Sequence, residues 1–273
     1  MRLTLLGTGS PLPDPNRAGP STLVQAGDAN LLVDAGRGVL MRLAGAGLLP
    51  PQLSAVLLTH LHSDHITDLN DVITTRWVAS PVPLPLPIIG PPGTRQVVDG
   101  ILAMLQPDIG YRLAHHDDLD EPPQVDVTEV EPGDTIELAG ATIRVGRTDH
   151  RPVEPTVAYR VEHDGRALVL GGDGVPCRTL DDLCAGADVY VQTAIREDLV
   201  AAIPIQRLQD ILDYHSSVAQ AAQTASRAAV GRLVLTHYVP APAPGGLTEW
   251  RTIAAEHFDG EVITPDDGTV IDI

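Results

Sequence analysis

Apolar positions in the first third of the chain fall in short runs. Leu3–Gly7, Ser21–Ala26 and Asn30–Asp34 are separated by Gly, Pro, Asn and Asp, the punctuation of closely spaced strands. From residue 37 to 46 the period changes, and Val39, Leu40 and Leu43 share a helical face that ends near Gly45 and Gly47. Ser54–Thr59 is a fully apolar strand, 66–79 returns to helical spacing, 86–89 is a Pro-punctuated strand, and 94–105 reads as an amphipathic helix. The acidic, Pro-containing stretch 115–123 looks like the mid-chain connection. Beyond it strands are expected at 125–130, 135–138, 142–147, 156–162, 167–170, 188–192 and 233–236, with helices over 217–230 and 247–258. Strand clusters and helices thus occur once in each half. An α/β fold of two sheets packed face to face, helices outside, is the simplest way to bury them.

At 273 residues and 43% apolar, the chain is expected to form one globular domain over 1–273. Charge sharpens the picture: 36 acidic residues against 18 arginines, with no lysine, give −18. Such a field repels phosphate backbones at long range, and with only 3% aromatics a general single-strand binder is not expected. Cys177 and Cys184 fit neither a redox pair nor a zinc ribbon and are expected to be reduced packing residues. The start MRLTLLGTGSPLP lacks the charged and apolar regions of a signal peptide, and no run is long enough to span a membrane. A soluble cytoplasmic protein is expected.

The sharpest chemical signal follows the strand at 54–59: Thr59-His60-Leu61-His62-Ser63-Asp64-His65. Three imidazoles and a carboxylate in six residues are costly to bury unless something binds them. In a turn leaving a strand, His60 and His62 can aim at one point while Asp64 and His65 aim at its neighbour, which suits two metal ions. Neutral imidazole with carboxylate oxygen suits Zn²⁺, with Mn²⁺ or Fe as substitutes. Three more ligands are offered at strand ends: His150 in IRVGRTDH, Asp173 in ALVLGGD and His237 in LVLTH. A lone strand-end histidine is most often structural; beside the cluster, these become metal candidates. His115, His116, His163 and His257 sit in acidic or loop contexts and are expected at the surface.

HLHSDH with a later strand-end His, the GGD and the late THY resembles the metallo-β-lactamase superfamily over essentially the whole chain. The resemblance implies an αββα four-layer sandwich of two mixed sheets with a two-metal site on one edge. LLGTGSPLPDPNRAGPST, THLHSDHITDLNDV, GGDGVPC and YHSS…LTHY are similar to the branch holding ribonuclease Z and an arylsulfatase-type group. By position it implies His60, His62 and His150 on one zinc, Asp64, His65 and His237 on the other, and Asp173 bridging. Asp64 would also accept a proton, and His215, in Asp213-Tyr214-His215-Ser216-Ser217, would donate one to the leaving group, with Ser216 as helix cap.

Against ribonuclease Z itself stand several departures. No basic arm lies between His150 and Asp173, Gln192-Thr193-Ala194-Ile195 stands where the family carries a Glu that orients its catalytic His, and Val175 and Ala241 fall in segments where the family carries arginines. Arg17, Arg37 and Arg76 flank the motifs and could still hold an anion. The expectation is therefore a binuclear zinc hydrolase whose metal-held hydroxide attacks a small anionic ester, a phosphodiester or aryl sulfate, as in the arylsulfatase-like group. Alternatives are a divergent tRNA 3′-processing endonuclease and a lactonase or thioester hydrolase. A non-enzymatic metal module and a β-lactamase proper are weaker readings. By family similarity a homodimer is expected, with no membrane partner.

Overall fold

The computed structural model describes residues 1–273. The short apolar runs become fourteen strands in two sheets of seven. The first sheet begins with β1 (Arg2–Gly7), β2 (Ser21–Ala26), β3 (Ala29–Val33), β4 (Ala55–Leu57), β5 (Leu86–Gly90) and β6 (Val125–Glu129). The second holds β7 (Thr135–Leu138), β8 (Ala141–Arg147), β9 (Val157–His163), β10 (Arg166–Leu170), β11 (Val189–Ile195), β12 (Arg232–Val239) and β13 (Glu261–Ile263). The last strand, β14 (Thr269–Asp272), returns to the first sheet. Spatial orders are β14-β1-β2-β3-β4-β5-β6 and β13-β12-β11-β10-β9-β8-β7.

Both sheets are mixed. β14 to β3 pair antiparallel and β3 to β6 parallel; β7 to β10 pair antiparallel and β10 to β13 parallel. Parallel neighbours need long crossovers, and these supply the outer helices. The period-2 alternation sorts side chains into layers. Leu31, Val33 and Leu57 face Tyr159, Val161, Leu168 and Val191 of the other sheet in the central cluster. Leu32, Val56 and Ile88 point outward onto Leu43, Leu69, Val72 and Val98. Val169, Leu233 and Leu235 do the same on the far side, meeting Ala221, Ala225 and Trp250. This is the expected αββα sandwich.

Differences from the sequence reading are local. The helix expected over 94–105 runs over Thr94–His115, straight through Pro107. The carbonyl of Ala103, which Pro107 leaves without a helical donor, lies at an exposed position, so the chain tolerates the missing bond. The segment 66–79 divides into Ser63–Ile66 and Leu69–Ala79. The strands β13 and β14 escaped the pattern because they are short edge strands with exposed polar ends. Ser217, not Ser216, caps the helix Val218–Arg227, in a box with Gln220; Ser216 donates instead to the Gly174 carbonyl. Cys177 and Cys184 are free thiols. No helix is long and apolar enough to cross a membrane.

Candidate metal centre

The site is assembled at the carboxyl ends of strands from both sheets. β4 releases the chain into Leu58-Thr59-His60, and the turn delivers His62 before the short helix Ser63–Ile66 buries Asp64 and His65. His150 follows β8, and Asp173 follows β10 after Gly171-Gly172. Here β12 is longer than expected and carries His237 inside it, at a left-handed φ of 56° where the register with β11 slips. That kink turns one side chain out of the ladder and into the site.

All seven expected ligands meet. His60, His62, His150 and Asp173 form one group and Asp64, His65 and His237 another, the donor atoms of each group lying within 4.8 Å of one another. His62 Nδ1 is 3.1 Å from His60 Nε2 and 3.4 Å from His150 Nε2. In the second group, Asp64 Oδ2 lies 3.2 Å from His237 Nε2 and 3.6 Å from His65 Nε2. Asp173 Oδ2 faces both: it is 3.8 Å from His60, 3.9 Å from His150, 3.5 Å from His65 and 3.6 Å from His237. Only His62 among the seven is not fully buried.

Electrostatics set the protonation of this cluster. Burial lowers His60 well below the usual histidine range, lowers His62, and brings His150 to about 4. Burial alone would raise Asp173, but the imidazoles of His237 and His65 hold it well below the usual carboxylate range. Asp64 behaves alike: burial would raise it, and the His237 hydrogen bond together with the His65 and His237 imidazoles holds it below the usual range. For His65 burial is overcome by the Asp173 and Asp34 carboxylates, which hold it well above 6.5; His237 is raised by Asp173 and Asp64. Without a cation, protons supply the charge that the carboxylates demand.

Metal ions fit this donor set. His65 Nε2 and Asp173 Oδ1 are buried with no hydrogen-bond partner, an expensive arrangement for a site meant to stay empty. Imidazole and carboxylate donors with room for solvent suit divalent first-row metals.

His215, the expected proton donor, stands in the same cluster. Its Nε2 is 3.3 Å from Asp173 Oδ2 and its Nδ1 is 3.1 Å from the Ile211 carbonyl, so Nδ1–H donates to that carbonyl. Gln192 takes no part in orienting it: its amide donates to Gly172 and Thr193 while Tyr190 donates to its carbonyl oxygen. The other histidines lie away from the cluster, with His115, His116 and His257 exposed and His163 on the Gly140 carbonyl.

Two contributors were missed in the sequence. Asp34 is buried at the end of β3 and accepts from Thr59 N at 2.8 Å, Thr59 Oγ1 at 2.9 Å and His65 Nδ1 at 2.8 Å. The strand-end position that marked His150 and Asp173 would have marked it too. Tyr214 accepts from His150 Nδ1 through its carbonyl at 2.8 Å, a backbone role with no sequence signal. The three flanking arginines are sorted: Arg17 bonds Thr8 and Asp266 beneath Tyr238, and Arg76 is buried on the carbonyls of Pro50, Leu53, Leu84 and Pro85. Arg37 alone of the three is exposed and unpaired.

Residues 29–238 match the family model described as the Beta-lactamase superfamily domain. The chain is 60% identical over 269 residues to the ribonuclease Z of Mycolicibacterium paratuberculosis, covering 98% of this chain and 96% of that one. It is 59% identical to the ribonuclease Z of Mycolicibacterium gilvum, covering 98% and 94%. Among solved structures it resembles the metallo-beta-lactamase fold protein YhfI from Bacillus subtilis, with TM-score 0.75, 25% identity and coverage of 99% and 98%. Human tRNase Z, short form, shares the fold with TM-score 0.72, 24% identity and coverage of 100% and 99%.

These relatives overturn the expectation of an arylsulfatase-like enzyme for small anionic esters and favour the endonuclease alternative. The structure supplies the reason for the error. LLGTGSPLPDPNRAGPST, one of the segments similar to this branch, is scaffold: Ala18 N is held by Asp267 and Arg17 by Asp266. Residues spent on the frame say nothing about the substrate.

Two outcomes are expected of the centre. Asp34→Asn removes the charge that holds His65 and should weaken divalent-metal affinity roughly 10- to 100-fold, read by chelator competition; unchanged affinity would deny Asp34 its role. Between pH 7 and 9 the lowered His60, His62 and His150 are neutral in folded and unfolded chains alike, so the raised His65 and His237 dominate. Their stabilisation of the metal-free protein is complete below the unfolded value of 6.5 and is lost as pH rises through the folded values. The metal-free Tm should therefore fall across this window, and the Tm gain on adding Zn²⁺ should grow.

Proposed function

Because the chain belongs to the metallo-β-lactamase superfamily, in its ribonuclease Z branch, and is a metal-dependent hydrolase of the phosphodiesterase type, we propose that it is an endonuclease trimming tRNA precursors at their 3′ side. The observation that carries this reading is the meeting of two ligand groups with a further imidazole, His215, at one shared carboxylate. His60, His62 and His150 would hold one zinc, Asp64, His65 and His237 the other, and Asp173 both. When bound, the pair lowers the pKa of a water and stabilises charge on the phosphate oxygens.

The chain's own groups handle the protons. Asp64 takes a proton from the attacking water as its oxygen bonds to phosphorus. The bond from phosphorus to the leaving oxygen breaks, and that oxygen takes a proton from His215 Nε2. Since Nδ1–H is committed to the Ile211 carbonyl, a proton on Nε2 makes His215 an imidazolium, held against Asp173 until it is given up.

Phosphate binding needs a free cation. Of 18 arginines, Arg37 and Arg207 are the two whose guanidiniums make no hydrogen bond or ion pair. Arg37 rises from a locked loop: Ala35 N donates to the His65 carbonyl, Gly36 N to Pro20, and Gly38 N to Asp68. That loop lies against Asp64 and His65, and we assign Arg37 to an RNA phosphate beside the metals.

The test is cleavage of a precursor tRNA carrying a 3′ trailer. His215→Ala should keep its metal content and lose about 10²- to 10⁴-fold in kcat; normal turnover would remove the proton-donor role. Arg37→Gln should raise KM several-fold at low salt, with little change in kcat. The charge-matched Arg2→Gln, at the opposite end of β1, should do neither.

A further inference from the structure

Of the five tyrosines, Tyr159, Tyr190 and Tyr238 are buried with their hydroxyls donating to Leu58, Gln192 and Pro265, and Tyr111 is exposed on the helix Thr94–His115. Tyr214 differs from all of them. It is half-buried, and its hydroxyl has no protein partner. Its ring centroid is 5.3 Å from that of His150, at 75°, and 4.8 Å from that of His215, at 45°. Neither imidazole stacks parallel on it, and it is the one Phe, Trp or Tyr ring packed on the site histidines. Its backbone cannot drift, because its carbonyl accepts from His150 Nδ1 at 2.8 Å.

A rigid, partly open aromatic ring beside the proton donor marks the leaving-group side of the site. The chain is otherwise poor in aromatics, with two Trp, five Tyr and one Phe, so this placement is not a by-product of abundance. Resting on the RNA reading above, we propose that Tyr214 is the stacking platform for the base of the nucleotide that carries the leaving oxygen. Stacking on a phenol ring tolerates any base, and the anchored backbone means that little freedom is lost when the base arrives. The base then fixes the sugar, and through it the leaving oxygen, within reach of His215.

The experiment compares a precursor tRNA with its counterpart made abasic at the nucleotide 5′ of the scissile bond. The wild-type enzyme should prefer the base-bearing RNA by roughly 5- to 100-fold in kcat/KM. Tyr214→Leu keeps apolar bulk against His150 and should bring that ratio near one by slowing the base-bearing RNA more than the abasic one, while Tyr214→Phe should keep the ratio. Metal content and Tm confirm that each variant is folded and loaded. A wild-type ratio near one overturns the proposal. So does an equal loss on both RNAs in Tyr214→Leu, which would make Tyr214 a positioning residue for His150 and His215, or loss of the ratio in Tyr214→Phe, which would assign the effect to the hydroxyl. Failure of the wild-type enzyme to cut either RNA sinks the endonuclease reading along with this one, and is told apart because no ratio exists.

Discussion

The site's geometry hangs on one buried carboxylate. Asp34 ends β3 at a left-handed φ of 60°, a conformation that Asp tolerates better than most residues. That turn brings its side chain back beneath the exit of β4, where it accepts from Thr59 twice and from His65 once. Two parallel strands are thereby locked at the point where the ligand-bearing turn begins. The same contact fixes a tautomer: with Nδ1–H donated to Asp34, a neutral His65 presents Nε2 as a lone pair to the centre. Removing either strand end would leave the histidine free to rotate and its nitrogen free to point elsewhere.

Gathering imidazoles and carboxylates in a buried pocket opposes solvation, and the two ligand groups meet that conflict differently. His60 and His150 are kept neutral by burial, so their nitrogens are free to bind. His65 and His237 are drawn toward protonation by Asp173, Asp34 and Asp64. One half of the centre is proton-free; the other must release protons before a cation can enter. Asp173 is shared by both halves, so charge placed in one is felt by the other. The centre is a coupled unit, not two independent pockets.

Much of this was legible because the signals were covalently short or periodic. Ser21–Ala26 and Thr135–Leu138 match their apolar runs residue for residue, and HLHSDH carries its chemistry within one turn. His150, Asp173 and His237 were legible as strand-end residues, although convergence from two sheets needed the fold to show it. Illegible features depended on partners distant in the chain. Ser216 and Ser217 are equally good caps in sequence, and only the Gly174 carbonyl decides which is left free. His215 lacks the Glu that the family carries to orient it, and its Nδ1–H is held instead by a backbone carbonyl, a group present at every residue and therefore without a signature. The helix Thr94–His115 outlasts Pro107 because exposure, which the local pattern does not encode, spares its freed carbonyl.

Charge was the most misleading number. A total of −18 argues against RNA only if it describes the surface a phosphate meets, and it counts residues without their pairing. Arg196 is spent on Asp198 and Glu249, Arg76 on four carbonyls and Arg227 on Asp181, so most of the cationic inventory is frame. Asp34, Asp64 and Asp173 are likewise inside the site, where protons or cations answer them. What remains for a polyanion is local: a metal centre open at His62, an unpaired Arg37 on a fixed loop, and the Tyr214 ring. On the RNA reading proposed above, with long-range attraction weak, recognition would come from short-range contacts at the scissile bond. A phosphodiester can be held there by an acidic protein, because the field that acts on it within a few ångströms is that of the centre and not of the whole chain.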